Sequence, residues 1–157
     1  MVQALKEAKK AHDEGEIPVG AVIVKEGKII ARGHNKRVKS GDIFSHAEML
    51  ALKKASKKIG DWRLSDCEMF VTLEPCAMCL GAAINARIKK IYFGAYDEKG
   101  GCCGSVADLT KLAMLNHKTE AEGGIMQEQC SLLLKDFFAK RRLENKRGEE
   151  KTQGGNL

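Results

Sequence analysis

The chain has 157 residues, of which 43% are hydrophobic and 31% charged, a size and balance typical of one soluble globular domain with a sizeable core. It contains neither a run of roughly 18 apolar residues, as a membrane span requires, nor an N-terminal secretory pattern, so we expect a cytoplasmic protein with no membrane partner. The formal net charge of +6 suits an acidic partner such as nucleic acid, and without a secretory context the six cysteines are expected to stay unpaired.

The first half of the chain predicts a helix, a hairpin and a second helix. Apolar residues at helical spacing indicate an amphipathic helix over about residues 2–14. Two short apolar runs at 19–24 and 29–31, joined by a turn rich in charge and glycine, predict a β-hairpin. A polar loop is expected over 35–42, followed by a helix from 46 to about 59.

The second half alternates strands with helices. Strands are expected over 68–73, 90–93 and 119–122, and helices over 76–86 and 127–147. Strands that alternate with helices after an initial hairpin indicate an α/β layered domain with a mixed sheet.

The last predicted helix ends in a basic segment. Residues 135–147 hold six cations and two anions, a net charge of +4. Such a segment can bind nucleic acid, or it can be a solvated helix end favoured by the helix dipole, and its composition favours neither. Four apolar residues of this helix are expected to face inward: Leu133, Leu134, Phe137 and Phe138. Residues 1–147 are thus predicted to form one domain, and residues 148–157 a polar, disordered tail.

Two short motifs carry the chemistry. His46-Ala47-Glu48 offers an imidazole and a carboxylate, and Pro75-Cys76-Ala77-Met78-Cys79 offers two thiols three residues apart. One imidazole and two thiolates are three ligands for a tetrahedral Zn²⁺, one per chain, with the fourth position left for water. Glu48 is then free to move the protons of that water. This combination resembles the signature of zinc-dependent nucleobase deaminases.

The predicted helices allow these side chains to meet. His46 and Glu48 would diverge on a helix flank, but in a first turn side chains tilt toward the N-terminus, so both can reach a point beyond the helix start. Cys76 and Cys79 share one helix face. Two helix starts that face each other would enclose the ion, and their dipoles would favour thiolate and hydroxide.

Each motif also has a simpler explanation. Ser45-x-x-Glu48 is a capping box, in which Ser45 caps the helix and Glu48 bonds back to its start. Cys-x-x-Cys alone occurs in redox sites and in structural zinc sites. Other residues could supply a fourth structural ligand: His12, His34, His117, Cys67, Cys102, Cys103 and Cys130. We expect Ser45 to cap the helix while His46 and Glu48 serve the zinc.

Over nearly its whole length the chain resembles the bacterial tRNA-specific adenosine deaminases. The matching stretches are 16–22, 46–48, 71–79, 93–97, 115–117 and 136–138, followed by Arg141 and Arg142. The resemblance implies a cytidine-deaminase-like, three-layer α/β/α domain with a central mixed five-stranded sheet, and a homodimer. It also implies conversion of adenosine to inosine at the wobble position of the anticodon stem-loop of a tRNA, an arginine tRNA.

The resemblance assigns roles to particular residues. His46, Cys76 and Cys79 would hold zinc, Glu48 would shuttle protons, and Asn35 would contact the flipped adenine. Six further residues would lie in or near the groove for the anticodon loop: Asp97, Asn116, His117, Phe137, Phe138 and Arg142. The chain departs from the family where Asp-Pro-Thr-Ala usually precedes the zinc histidine, because residues 42–45 read Asp-Ile-Phe-Ser. Cys102 and Cys103 are interpreted as free thiols.

Two other functions remain as alternatives. The first is deamination of a free nucleobase or nucleotide of the guanine or cytosine type, against which the basic last helix and Asn116-His117 argue. The second is a non-catalytic, zinc-stabilised RNA-binding subunit. An intact Glu48 argues against it, because such a subunit needs no proton shuttle.

Overall fold

The structure is a computed structural model that describes residues 1–112 and 115–153, the last six of these by their backbone alone. The helices are α1 (Val2–Asp13), α2 (Arg37–Ser40), α3 (Ala47–Ile59), α4 (Ala77–Asn85) and α5 (Gln127–Gln153), with a 3₁₀ turn at Leu109–Lys111. The strands are β1 (Gly20–Lys25), β2 (Lys28–His34), β3 (Cys67–Leu73), β4 (Lys90–Ala95) and β5 (Glu120–Glu122). No helix in the described part of the chain combines the length and the apolar character that crossing a membrane requires.

The five strands form one mixed sheet in the order β2-β1-β3-β4-β5. Strand β1 pairs antiparallel with both β2 and β3, whereas β3–β4 and β4–β5 are parallel pairs. The predicted α/β class and mixed five-stranded sheet are confirmed. Large apolar side chains that are fully or almost fully buried fill the space around the sheet: Ile23, Leu64, Met69, Leu80, Ile88, Ile91 and Phe93.

Helices cover both faces of this sheet. Gly20 of β1 lies against α1 so closely that a Cβ there would overlap the backbone of Ala4. Gly33 of β2 lies in the same way against Ala47 of α3. Gly33 pairs with Ala21, the neighbour of Gly20, so the two glycines point to opposite faces. Helix α1 contacts α5 and α3 contacts α4, which gives the predicted three-layer arrangement.

The close approach at Gly33 predicts a large effect of a single methyl group. Gly33→Ala is expected to destabilise the fold by roughly 1–3 kcal/mol, because the added Cβ would overlap the backbone oxygen of Ala47 and lie 2.8 Å from the backbone nitrogen of Ala51. Chemical denaturation measures this. Gly81→Ala in α4 is the matched control, since its Cβ would meet nothing within 4 Å, and it should stabilise by about 0.5–1 kcal/mol. Equal stability of both variants would contradict the close packing of α3.

Two predicted boundaries differ from the structure. The polar loop expected over 35–42 contains the single helical turn α2, which ends at Gly41 in the left-handed conformation with φ 65°. Helix α5 was expected to end at Arg147 but continues to Gln153, so residues 148–153 have helical backbone rather than the predicted disorder. Gly148 does not stop the helix, because one glycine costs only about 1 kcal/mol and strong helix formers come directly after it. Residues 154–157 of the predicted tail lie outside the described residues.

Candidate active site

Three side chains that can bind a metal meet where two helices begin. His46 immediately precedes α3 and Cys76 immediately precedes α4, both with extended backbone (ψ 150° and 172°), and Cys79 lies in the first turn of α4. The ligand atoms of the three lie within 4.8 Å of one another. Since α3 and α4 pack together, the positive ends of both helix dipoles lie at this point. The described residues contain no second group of this kind.

The distances suit a tetrahedral metal ion. Nδ1 of His46 is 3.5 Å from Sγ of Cys79 and 3.9 Å from Sγ of Cys76. Zinc bonds of about 2.3 Å to sulfur and about 2.0–2.1 Å to nitrogen would place tetrahedral sulfur and nitrogen ligands about 3.6 Å apart. Two thiolates and one imidazole favour Zn²⁺ over hard cations such as Mg²⁺. Three protein ligands leave the fourth position open, as in catalytic rather than structural zinc sites.

Burial and shared hydrogen bonds set the protonation of this group. Glu48 is 4% exposed, and burial raises the pKa of its carboxyl to about 7. Hydrogen bonds with Cys79 and His46 lower the pKa of Cys76 to about 4, while the bond to Cys76, together with burial, raises the pKa of Cys79. A carboxyl with a pKa near neutral can both accept and release a proton, as a general acid–base group must.

Ser45 does not cap α3. Its Oγ donates to Oδ2 of Asp42 at 3.1 Å, and the residue that begins the helix is His46, whose side chain makes no capping bond. The predicted helix cap at Ser45 is therefore wrong, because α3 begins one residue later and the flanking position belongs to His46. Glu48 is accordingly not one half of a capping box, which removes the simpler explanation for its position.

A cavity of about 170 Å³ opens beside the three candidate ligands. His46, Glu48 and Cys76 line it together with two other predicted site residues, Asn35 and Asp97. The rest of the wall is apolar or charged: Ile17, Val19, Arg37, Ala47, Leu73 and Glu74. Its small volume suits one planar ring better than a drug-sized ligand, and its walls offer both apolar side chains and polar groups to such a ring.

Two buried carboxylates that were not among the predicted site residues hold the walls of this cavity. Glu16, 1% exposed, accepts hydrogen bonds from the side-chain amide of Asn35 at 3.3 Å and from the backbone of Lys39 at 2.7 Å. Glu74, 2% exposed, accepts from the backbone N–H groups of Asp97 at 3.0 Å and Cys103 at 2.9 Å. Glu74 comes directly before Pro75 at the end of β3, and Glu16 lies two residues before Pro18 at the start of β1. The sequence signal that could have found them is a single acidic residue among apolar neighbours.

Asn116 and His117 lie elsewhere. They line a separate cavity of about 270 Å³ with Trp62 and Arg87. The ring nitrogen Nε2 of His117 is 3.0 Å from the backbone oxygen of Ile88, and Arg87 donates to the backbone oxygen of Asn116 at 2.9 Å. These contacts fix the loop before β5. Within one chain they do not bring either side chain to the metal ligands.

The three candidate residues of α5 also lie outside the cavity at His46. Phe137 is 6% exposed, whereas Phe138 is 44% exposed. The prediction that Phe138 faces inward is wrong, because successive helical residues point about 100° apart and Phe137 occupies the core-facing position. Arg142 is exposed.

The six cysteines are free, as predicted. Cys102 and Cys103 lie in the loop that Glu74 holds, and the backbone N–H of Cys102 donates to the oxygen of Pro75 at 2.9 Å. Burial raises the pKa of both thiols, that of Cys103 to about 12. Thiols of this kind are protonated and unreactive at neutral pH.

Comparison with known proteins identifies the family. The model of the MafB19-like deaminase family matches residues 1–142. A tRNA-specific adenosine deaminase of Bacillus subtilis (strain 168) is 46% identical over 146 residues, which cover 93% of this chain and 91% of that protein. A solved structure from studies of A-to-I editing by tRNA:A34 deaminases at the wobble position of transfer RNA has a TM-score of 0.81 and 36% identity, with 83% of this chain and 95% of that one covered.

A guanine deaminase from Bacillus subtilis is similar over a smaller part of the chain. Its structure has a TM-score of 0.58 and 43% identity, and the match covers 60% of this chain and 61% of that one. The tRNA deaminases match over more of the chain and with the higher structural similarity, and they share the cytidine-deaminase-like fold that the sequence predicted. The chain is therefore an enzyme that belongs to the family of tRNA-specific adenosine deaminases.

Proposed function

We propose that this enzyme hydrolyses adenosine to inosine at the wobble position of a tRNA anticodon, an arginine tRNA, and releases ammonia. The observation that carries the proposal is the placement of a buried Glu48 beside His46, Cys76 and Cys79 in a cavity that suits one base. The relatives named tRNA-specific adenosine deaminase, similar over 93% of the chain, support the choice of substrate. A homodimer that acts in the cytoplasm, where tRNA is decoded, completes the proposal.

We infer that one Zn²⁺ binds per chain at His46, Cys76 and Cys79. The donor set and its distances support this ion. When bound, zinc would polarise a coordinated water and lower its pKa toward neutral. A neutral imidazole and two thiolates balance the charge of the ion, so the site needs no further anion.

Glu48 would then move the protons. Its carboxylate takes a proton from the attacking water and delivers it to the ring nitrogen next to the amine-bearing carbon. The water oxygen bonds to that carbon, and the carbon–nitrogen bond to the amine breaks once Glu48 has passed the second proton to the leaving group. The sum is adenosine plus water giving inosine plus ammonia. A pKa of about 7 suits a group that must accept and donate in turn.

The cavity walls would orient the base. The amide of Asn35 is held by Glu16 and can bond a base edge, for which amides are suited. Oδ1 of Asp97 accepts from the backbone N–H groups of Lys99 at 3.0 Å and Gly100 at 3.2 Å, which fixes its carboxylate at the rim. The apolar residues of the wall, Ile17, Val19, Ala47 and Leu73, would contact the faces of the ring.

Of the six proposed anticodon-loop contacts, Asp97 lies in the wall of the cavity and the other five lie on two other surfaces. Asn116 and His117 are at the second cavity, and Phe137, Phe138 and Arg142 are on α5, none of them beside Glu48 in the same chain. An anticodon loop large enough to reach across the surface, or the second chain of a homodimer, would unite them with the cavity. The exposed ring of Phe138 and the guanidinium of Arg142 suit a base and a phosphate respectively.

Charge reversal on α5 tests the RNA contact. Arg142→Glu is expected to weaken tRNA binding several-fold, on the order of 1 kcal/mol, because it removes one phosphate contact and adds a repulsion. The slope of log affinity against log salt concentration should be shallower than that of the wild type by the contribution of about one phosphate contact. Lys28→Glu, on the exposed hairpin at the far end of β1, is the control with the same charge change. Equal affinity of the two variants would mean that this part of α5 is only a solvated surface.

One comparison of substrates tests the function itself. The zinc-loaded protein is incubated with a transcribed arginine tRNA bearing adenosine at the wobble position, with the same tRNA bearing guanosine there, and separately with free guanine and cytosine. We expect inosine, read as guanosine on sequencing, at the wobble position of the first tRNA and no ammonia from the free bases. Turnover of a free base with no inosine in tRNA would favour a free-nucleobase deaminase over a tRNA adenosine deaminase.

The second candidate is a deaminase of free guanine. Its support is the 43% identity to the guanine deaminase over 60% of the chain. A non-catalytic RNA-binding subunit has less support, because Glu48 is buried beside the three candidate ligands and makes no helix cap. The same incubation separates all three functions, since a non-catalytic subunit would bind tRNA and release no ammonia from any substrate.

A further inference from the structure

Three apolar side chains are exposed on the segment between Arg37 and His46, two residues that line the cavity. Val38, Ile43 and Phe44 are 70%, 67% and 56% exposed, and we call these three residues the apolar rim. Phe44 lies two residues before His46, so its Cα is within about 7 Å of that of His46. Val38 follows Arg37, which lines the cavity. Large apolar side chains exposed to water close to a cavity are typical of a binding surface.

The apolar rim is held in place rather than left loose. Oδ1 of Asp42 accepts from the backbone N–H of Phe44 at 2.9 Å, and the backbone oxygen of Ser45 accepts from the N–H of Lys36 at 3.0 Å. On the other side, Oε2 of the buried Glu16 accepts from the N–H of Val38 at 3.2 Å. A backbone that is fixed before binding loses little conformational freedom when a partner binds, so this segment favours a partner more than a mobile loop would.

The charges around the apolar rim favour an anionic partner. Lys36 and Arg37 precede Val38 and Lys39 follows it, against one acid in the same loop, Asp42. Lys39 is paired with Glu14 at 3.2 Å, which leaves Arg37 as the cation nearest the cavity. Apolar and aromatic groups interleaved with cations fit single-stranded RNA, whose bases stack while its phosphates bind the charges.

We propose that the apolar rim, through the ring of Phe44, is a stacking platform for the nucleotide next to the target adenosine, a role that rests on the proposed function. A base can enter the cavity only after it leaves its stack, and its departure exposes a face of the neighbouring base to water. Phe44 replaces the lost stacking partner at the mouth, within reach of the base held at His46. The apolar rim therefore helps to set which neighbouring base the enzyme tolerates.

Kinetics of the zinc-loaded full chain with an anticodon stem-loop RNA test this role. Phe44→Ala is expected to raise KM roughly 5- to 150-fold, the range that losing one base–aromatic stack produces, with kcat changed little. Phe44→Trp should have a KM close to that of the wild type, since any flat aromatic ring can stack. Leu132→Ala removes another exposed apolar side chain, 68% exposed on α5, and is the matched control, with unchanged kinetics expected.

A fluorescent base reports the contact directly. In stem-loops with 2-aminopurine immediately before or after the target adenosine, one of the two positions should be quenched in the wild-type complex and brighter in the Phe44→Ala complex. Unchanged KM and unchanged quenching in an active Phe44→Ala enzyme would overturn the stacking role of Phe44 and leave the proposed function intact. A shift of that variant from dimer to monomer in sedimentation would instead make the apolar rim an interface between two chains. Absence of inosine with the wild type would overturn the proposed function and this role together.

Discussion

Glu48→Gln is expected to reduce deamination by about 10²- to 10⁴-fold while the protein keeps its fold and its zinc. Glutamine has the same shape as glutamate but cannot accept a proton from water or pass it to the ring nitrogen and the amine. Because glutamine fills the same buried space and keeps an oxygen that can accept from the backbone N–H of residue 48, the variant should not lower the free energy of unfolding by more than about 1 kcal/mol. Single-turnover formation of inosine in tRNA, together with metal analysis and denaturation, measures the three quantities.

Glu128→Gln makes the same chemical change at an exposed position of α5 and should behave as the wild type. A variant at Glu48 that retained full turnover would show that another group moves the protons. If the variant instead lost its zinc or unfolded, Glu48 would be needed for the structure of the helix start. Only loss of turnover with zinc and fold intact agrees with a proton shuttle.

Local sequence patterns predicted most of the elements because those elements depend on local physics. The β1–β2 hairpin is an example: Glu26 and Gly27 both have positive φ, 49° and 72°, as a tight turn between antiparallel strands requires. The helix starts at His46 and Cys76 were predicted to within one residue for the same kind of reason. The end of α5 was not, because a glycine only weakens a helix and the residues after Gly148 decide whether the helix stops.

The site residues could be predicted where the spacing within one motif places them together. They could not be predicted where residues far apart in the sequence come into contact. Cys76 and Cys79 share a helix face by spacing alone. The wall of the cavity depends instead on Glu16 reaching Lys39 and on Glu74 reaching Cys103, pairs separated by more than twenty residues that no local period relates. Ser45 failed as a cap because α3 begins one residue later than expected, with His46 in the flanking position, while the hydroxyl of Ser45 donates to Asp42.

The metal ligands are the most consequential positions in the chain, because they bring distant segments of it together at one point. Cys79→Ala is expected to leave the protein with far less than one zinc per chain and without deaminase activity, because the ion would keep only His46 and Cys76. Losing an outer partner of a zinc ligand typically costs 10–100-fold in affinity, so losing a ligand should cost more. Metal binding adds to the free energy of unfolding, so the variant should also melt at a lower temperature, and added zinc should raise the melting temperature of the wild type only.

Cys67→Ala provides the matched control. Cys67 is a free thiol, 1% exposed like Cys79, but it begins β3 and lies outside the three-ligand group. Its replacement should cost roughly 1 kcal/mol of stability for the lost side-chain packing and leave zinc and activity intact. Element analysis of both purified variants, with the wild type beside them, separates the loss of a ligand from the loss of a buried side chain. Equal zinc in the two variants would contradict the proposed centre, because thiol burial alone would then explain why Cys79 points inward.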